Sequence, residues 1–136
     1  MLAGGDRRSI GRSNEVAALV LANRRGFPEL IDCLWSEDPL VRMRAADAAE
    51  KVSAQKPGLL LLFKADLLGL LVEAKQPELL WHLAQMIPRL RLSAKERARA
   101  GAVFRSFLKH RGSLVKTTGL QALADLSRQD EQPGPK

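Results

Sequence analysis

The side chains that could perform catalysis are few and scattered along the chain. There is a single cysteine, Cys33, and there are two histidines, His82 and His110, with no cluster of metal ligands at suitable spacing. Cys33 lies near the apolar residues Ile31 and Leu34 on a short predicted helix, which is typical of a small core residue. Asp47 and Glu50 are helix neighbours, but basic residues flank them and favour a solvated ion-pair surface. No phosphate-binding glycine loop or nucleophile motif occurs. We therefore expect no enzyme activity, no metal and no cofactor.

Positive charge is concentrated in one segment. Residues 88–116 contain nine Lys or Arg residues and one acid, Glu96, a sum of +8, whereas the whole chain has a formal net charge of +7. Such a run attracts phosphate backbones or acidic proteins, and the attraction weakens with salt. The alternative is a solvated face that only maintains solubility. If residues 89–116 bind nucleic acid, the expected contacts are Lys95, Arg99, Arg105, Lys109 and Lys116.

Helices must position these side chains, because apolar residues recur at helical spacing and no segment alternates as a strand does. Asp38-Pro39 and the capping box Ser93–Glu96 are typical helix starts. The apolar segment 58–74 is expected to be a central helix covered on several sides. We predict one domain over 13–127, after a flexible segment 1–12 and before a disordered tail 128–136. The seven predicted helices are 13–23, 28–35, 39–52, 58–74, 77–90, 94–111 and 113–127.

One helical pattern recurs three times along the chain. The second copy follows the first by 38 residues, and the third follows the second by 36 residues. Periods of this size are typical of helical solenoids, in which each unit buries its apolar face by stacking on its neighbours. The three copies are DPLVRMRAADAAEKV at 38–52, QPELLWHLAQMIPRL at 76–90 and GSLVKTTGLQALADL at 112–126.

The first copy carries a family resemblance. Its Pro39-Leu-Val41-Arg42, followed by four alanines at 45, 46, 48 and 49, resembles the second helix of a HEAT repeat, an armadillo-type unit. The resemblance covers residues 27–127. It implies an all-α fold, a right-handed α–α superhelix of about three helix pairs plus an N-terminal helix. The second helix of each pair would line a concave face.

Outward positions on the second helices define the expected partner-binding residues. Trp81 is predicted to lie at the centre, opposite the apolar arc of its helix, as an anchor for a partner. Packing against an adjacent repeat is the other interpretation of Trp81. The remaining expected contacts are His82, Gln85, Arg89, Met43, Arg44, Asp47 and Gln121.

These patterns favour a non-catalytic interaction module, a scaffold that binds a protein partner on its concave face. A nucleic-acid-binding protein that uses the basic segment is the alternative. A DNA glycosylase for alkylated bases, with Trp81, Asp47 and Arg89 as its candidates, is the least favoured hypothesis. We expect a monomer or homodimer with no membrane span. Because there is a single cysteine and no signal peptide is predicted from the first 13 residues, we expect a cytoplasmic location.

Overall fold

A computed structural model of the chain describes residues 9–131, with side chains placed for residues 12–129. Most of these residues are helical and none lies in a strand, which confirms the all-α prediction. Four short 3₁₀ segments, Arg24–Gly26, Cys33–Trp35, Pro57–Phe63 and Ile87–Arg89, accompany the α-helices. The α-helices are α1 Ser9–Ala22, α2 Phe27–Asp32, α3 Pro39–Gln55, α4 Lys64–Glu73, α5 Pro77–Met86, α6 Ala94–Phe107 and α7 Ser113–Glu131.

Two of the predicted helix starts, those at Asp38-Pro39 and at Ser93–Glu96, are confirmed. Oδ1 of Asp38 accepts a hydrogen bond from N of Leu40 at 2.9 Å, and Pro39 follows at the first helical position. The box at α6 is complete, since N of Ser93 donates to Oε1 of Glu96 at 2.8 Å and N of Glu96 donates to Oγ of Ser93 at 3.2 Å. Both arrangements satisfy backbone amides that have no partner within the helix.

The predicted helix ends are less accurate. The expected helix 58–74 is instead a 3₁₀ segment followed by α4. Leu61 and Leu62 are 61% and 88% exposed, so the predicted cover on several sides is wrong at these two residues. Pro88 lacks the amide hydrogen that would continue α5, and the chain turns as a 3₁₀ segment at that point. The predicted segments 1–12 and 128–136 lie partly outside the described residues. Inside that range, α1 begins at Ser9 and α7 ends at Glu131.

The chain divides into two compact units, Met1–Leu59 and Leu60–Lys136. In the first unit, α3 packs against α1, α2 and the segment Cys33–Trp35. The contact face of α3 is built from small side chains. They allow neighbouring helices to pack close to α3, since the distance between packed helices depends on the residues at their crossing. Its fully buried members include Ala45, Ala46, Ala48 and Ala49.

In the second unit, α6 packs against both α4 and α7, while α5 packs against α7. Leucine and aromatic side chains form this core. Among them Leu67, Leu83 and Phe104 are fully buried. None of the helices described in 9–131 is both long enough and apolar enough to cross a bilayer.

Hydrogen bonds connect the C-terminal end of α7 to the segment that follows α5. Nε2 of Gln129 donates to O of Leu90 at 2.8 Å and to O of Pro88 at 3.1 Å. Oε1 of the same side chain accepts from N of Leu92 at 3.1 Å. Because α5 and α7 pack side by side and their C-terminal ends meet, the two helices run in the same direction.

Candidate partner-binding groove

A groove with a cavity of about 400 Å³ lies between α5 and α7 in the second unit. We call it the α5–α7 groove. Its walls combine amide, hydroxyl, charged and small apolar groups. The lining residues are Ala84, Gln85, Pro88, Arg89, Thr117, Thr118, Gln121 and Asp125.

The apolar pattern of the two helices explains why polar residues line this groove. On α5, Leu79, Leu83 and Met86 are buried, so the opposite side of the helix carries Gln85, which is exposed. On α7, buried Val115, Ala122 and Leu126 leave Gln121 exposed in the same way. Gln85 and Gln121 occupy the same position in two successive copies of the sequence pattern, 36 residues apart. Parallel packing of the copies therefore places both amides on one groove.

Hydrogen bonds hold one wall of the groove in place. Nε2 of Gln121 donates to Oδ1 of Asp125 at 3.0 Å, and Nη1 of Arg128 donates to the same oxygen at 3.1 Å. The hydroxyl of Thr118 donates to the carbonyl oxygen of Leu114 at 2.7 Å, so its proton is used within α7. These bonds orient a carboxylate and a side-chain amide on the α7 wall, while Arg89 supplies a cation on the α5 wall.

Three of the predicted partner-binding residues meet in this groove: Gln85, Arg89 and Gln121. Trp81 precedes Gln85 by one helical turn and is half-buried, but it is not part of the groove lining. Its ring lies against that of His82, with 5.4 Å between the centroids. The predicted central position of Trp81 is therefore not found in this groove.

The predicted outward position of His82 is wrong, since this side chain is only 7% exposed. Its Nδ1 lies 2.5 Å from the carbonyl oxygen of Glu78, one turn earlier in α5. A carbonyl oxygen only accepts, so Nδ1 carries the proton in this contact. On an ideal helix His82 falls at the border of the apolar arc. A residue at this border is buried if a neighbouring helix covers it and exposed if none does.

The predicted outward position of Arg44 is also wrong, since this residue is only 1% exposed. The sequence pattern predicts one buried arc on α3, whereas α1, α2 and the segment Cys33–Trp35 all contact this helix. The approach of α1 is visible at Ser13, whose Oγ donates to O of Arg44 at 3.4 Å. The wider contact area takes Arg44 out of solvent.

The other two predicted residues on α3 are half-buried and belong to the first unit. They are Met43 and Asp47. Oδ2 of Asp47 accepts a hydrogen bond from Nζ of Lys51 at 2.7 Å, and Lys51 also donates to Oδ1 of Asn14 on α1. Asp47 thus takes part in an ion pair within its own helix, as the sequence suggested for this cluster.

The five residues of the alternative nucleic-acid patch are all exposed, and none forms an ion pair with another residue in the described part of the chain. The nearest acid in sequence is engaged elsewhere. Glu96 belongs to the capping box and pairs with Nζ of Lys64 at 3.1 Å. The backbone hydrogen bond from Ser93, with help from Lys64, lowers the pKa of Glu96. The patch consists of Lys95, Arg99, Arg105, Lys109 and Lys116.

Sequence reasoning missed the contribution of Arg128 and Gln129, which it assigned to a disordered tail. Arg128 supports the groove through Asp125, and Gln129 fixes the end of α7. A usable signal was present, because Gln129 continues the three- and four-residue spacing of Ala122 and Leu126.

Catalytic groups remain dispersed among the described residues. Burial, followed by the charges of Asp32 and Glu29, raises the pKa of the Cys33 thiol, and a raised pKa makes a cysteine a weaker nucleophile at neutral pH. Within residues 9–131, no group of three or more His, Cys, Asp or Glu side chains is placed to hold a metal ion.

Comparison with known protein families, with characterised proteins and with solved structures gives no match for this chain.

Proposed function

We propose that this chain is a non-catalytic interaction module that binds an extended segment of a protein partner in the α5–α7 groove. The observation that carries the proposal is the meeting of Gln85, Arg89 and Gln121 in one groove. These residues come from two copies of the repeated pattern, and they face a common space of about 400 Å³.

The groove chemistry suits a peptide main chain. A side-chain amide offers both donors and an acceptor, the same groups that an extended peptide presents at each residue. Gln85 and Gln121 therefore match the peptide groups of a bound segment, while Arg89 and Asp125 match its charged side chains. A volume of this size falls within the range of pockets that hold a ligand of a few residues.

The proposal also includes the way in which the helix pairs are arranged. We propose a HEAT-like, right-handed solenoid in which helix pairs stack on one another. Support comes from the second unit, where α4 packs on α6, α5 packs on α7, and α6 and α7 form an antiparallel pair. The common direction of α5 and α7 is expected of successive second helices. A solenoid of this kind serves as a scaffold, because its second helices form a continuous binding surface.

A site-specific photocrosslinker tests the proposed groove. We would place p-benzoylphenylalanine at Thr117, an exposed position that lines the groove, and at Val72 as an exposed control outside it. Irradiation in cells is expected to yield a discrete protein adduct at Thr117 and none at Val72. Mass spectrometry would identify the adduct, which would then be purified for direct binding measurements.

The double variant Gln85→Ala and Gln121→Ala completes the test. Loss of two amide contacts is expected to weaken binding of the purified partner by at least about fivefold, since each net hydrogen bond contributes about 0.5–1.5 kcal/mol. Circular dichroism should be unchanged because both side chains are exposed. Unaltered affinity in a folded double variant would refute the groove as the binding site.

A further inference from the structure

One face of α6 is basic along its whole length. On a helix with 100° between residues, Lys95 and Arg99 fall within one narrow strip, and Arg105 lies at its border. Lys109 follows in the turn after α6, where its N donates to the carbonyl oxygen of Ser106 at 3.2 Å. The positions between them are small, and all of them are exposed: Ala98, Ala102 and Ser106. We call this surface the α6 basic face. The buried side of the same helix carries Ala100, Phe104 and Phe107, which pack into the second unit.

Neighbouring groups leave the charge of this face intact. Glu96, the one acid of α6, is turned to the capping box and to Lys64 of α4. Arg97, which is not part of the face, donates from Nη1 to the carbonyl oxygen of Leu92 at 2.7 Å. The four cations of the face form no ion pair with any residue described in the structure. The face therefore presents a row of uncompensated positive charge to solvent.

Lys116 extends the row onto α7. It lies on the exposed side of that helix, about one turn before Gly119, which is in contact distance of Phe107 at the end of α6. The start of α7 is thus close to the end of α6, where Lys109 lies. The surface contains five cations and spans about 15 Å between Lys95 and Arg105 alone, at about 1.5 Å per helical residue.

We infer that the α6 basic face, together with Lys116, binds the phosphate backbone of double-stranded DNA. Phosphates of one B-DNA strand recur about every 3.4 Å along the axis, so a surface of this length spans about four of them. The small side chains between the cations let the helix approach the edge of the wide major groove. A-form RNA presents a deep and narrow major groove that a helix face does not enter.

The same face is poorly suited to other anionic partners. It carries no aromatic side chain for stacking on the bases of a single strand. It also carries no large apolar side chain to insert into a lipid surface, which interfacial helices require. Binding would be independent of sequence, because phosphate contacts carry no sequence information directly.

The test is a titration of a fluorescent 20-base-pair DNA duplex by anisotropy at several salt concentrations. Each phosphate contact contributes about −0.9 to the slope of log K against log salt. Five contacts give a slope between about −4 and −5, so affinity should fall roughly 500-fold from 50 to 200 mM salt. No binding at 50 mM salt would overturn the inference.

Two triple variants locate the site. The variant Lys95→Ala, Arg99→Ala, Lys109→Ala should reduce the magnitude of the slope by about 2.7. The matched control removes the same charge from exposed positions of the first unit: Arg12→Ala, Arg24→Ala, Arg25→Ala. Its slope should equal that of the unaltered protein. Equal losses in the two variants would show that net charge alone governs binding and would overturn the assignment to α6.

Competing ligands complete the experiment. Tighter binding of duplex RNA of the same sequence, or of vesicles containing 30% phosphatidylserine, would overturn the assignment to DNA in favour of that ligand. The inference is independent of the α5–α7 groove. The double variant Gln85→Ala, Gln121→Ala is expected to bind the DNA duplex as the unaltered protein does, so failure of either proposal leaves the other standing.

Discussion

Gly119 of α7 and Phe107 of α6 approach so closely that a Cβ atom at position 119 would lie 2.7 Å from Cβ of Phe107. The same atom would lie 3.1 Å from the carbonyl oxygen of Phe104, which belongs to the backbone and cannot swing aside. The two helices therefore meet at a distance that only glycine permits. Gly119 is buried and helical, so its role here is steric and does not depend on its conformational freedom.

We expect Gly119→Ala to destabilise the fold. Alanine would gain up to about 1 kcal/mol in helix propensity, but the clash forces α7 away from α6, and overpacking of this kind typically costs about 1–3 kcal/mol. The net loss should appear as a lower urea midpoint in equilibrium unfolding followed by circular dichroism. An equal or higher midpoint would contradict the close approach of the two helices.

Gly69→Ala is the matched control. Gly69 lies inside α4, and a Cβ atom there would meet nothing within 4 Å. The substitution should stabilise the protein by about 0.5–1 kcal/mol, because alanine loses less backbone entropy than glycine in a helix. Opposite signs for the two substitutions would show that the contact, rather than the residue type, decides the outcome.

Gln129→Ala should also lower the free energy of unfolding. The substitution removes the donor to the carbonyl oxygens of Leu90 and Pro88 and the acceptor for N of Leu92, all of them partly buried. Backbone groups that lose a partner cost about 1–3 kcal/mol. The loss can be measured by urea unfolding and by faster amide exchange at Leu92.

Gln85→Ala serves as its control, since Gln85 is an exposed glutamine in the same unit. Its effect should stay within about 0.5 kcal/mol, as for other exposed positions. An equally small change in the free energy of unfolding for Gln129→Ala would show that the hydrogen bonds of Gln129 do not stabilise the contact between the end of α7 and the segment after α5.

The local rules of helices predicted a good part of this fold. Asp38 and Ser93 were identified as helix caps because a cap side chain accepts hydrogen bonds from backbone amides of the first turn. Such local interactions can be predicted from sequence. The 36-residue offset also predicted that Gln85 and Gln121 are equivalent. Their common groove follows from that equivalence once two helices pack in the same direction.

Residues whose surroundings depend on distant contacts were not predictable. The outward assignment of Arg44 and His82 assumed one buried side per helix, whereas a helix with two neighbours buries a wider arc. The same limit applies to Gln129, whose partners are about 40 residues away in the chain. Sequence periodicity shows which side of a helix is apolar, but not how far a neighbour covers its borders.

The Cys33 thiol should react slowly with iodoacetamide at neutral pH. Burial is the first cause of its raised pKa, and the charges of Asp32 and Glu29 add to it. The thiolate is the reactive form, so the alkylation rate should rise with pH to a midpoint above the ordinary value of 9.0. Mass spectrometry of the time course measures this midpoint. A midpoint below that value would indicate an activated cysteine and would reopen the question of catalysis.

Glu96→Gln should reveal a pH-dependent contribution to stability. The pKa of Glu96 is lowered in the folded chain, first by the backbone hydrogen bond from Ser93 and then by Lys64, so folding favours the charged carboxylate. Its contribution is complete above the ordinary value near 4.5 and is lost as pH falls through the lower value of the folded state. Glutamine keeps the acceptor but not the charge.

The unaltered protein should therefore exceed Glu96→Gln in stability by about 0.3–1 kcal/mol at pH 7, the usual size of a favourable charge at a helix start. Thermal unfolding at intervals between pH 7 and pH 3 should show this difference shrink once the pH drops below 4.5. Salt should shrink it as well, because the pair with Lys64 is partly exposed, with side-chain exposures of 31% and 28%. A difference that stayed constant down to pH 3 would mean that the carboxylate charge does not stabilise α6, and that the capping box owes its effect to hydrogen-bond geometry alone.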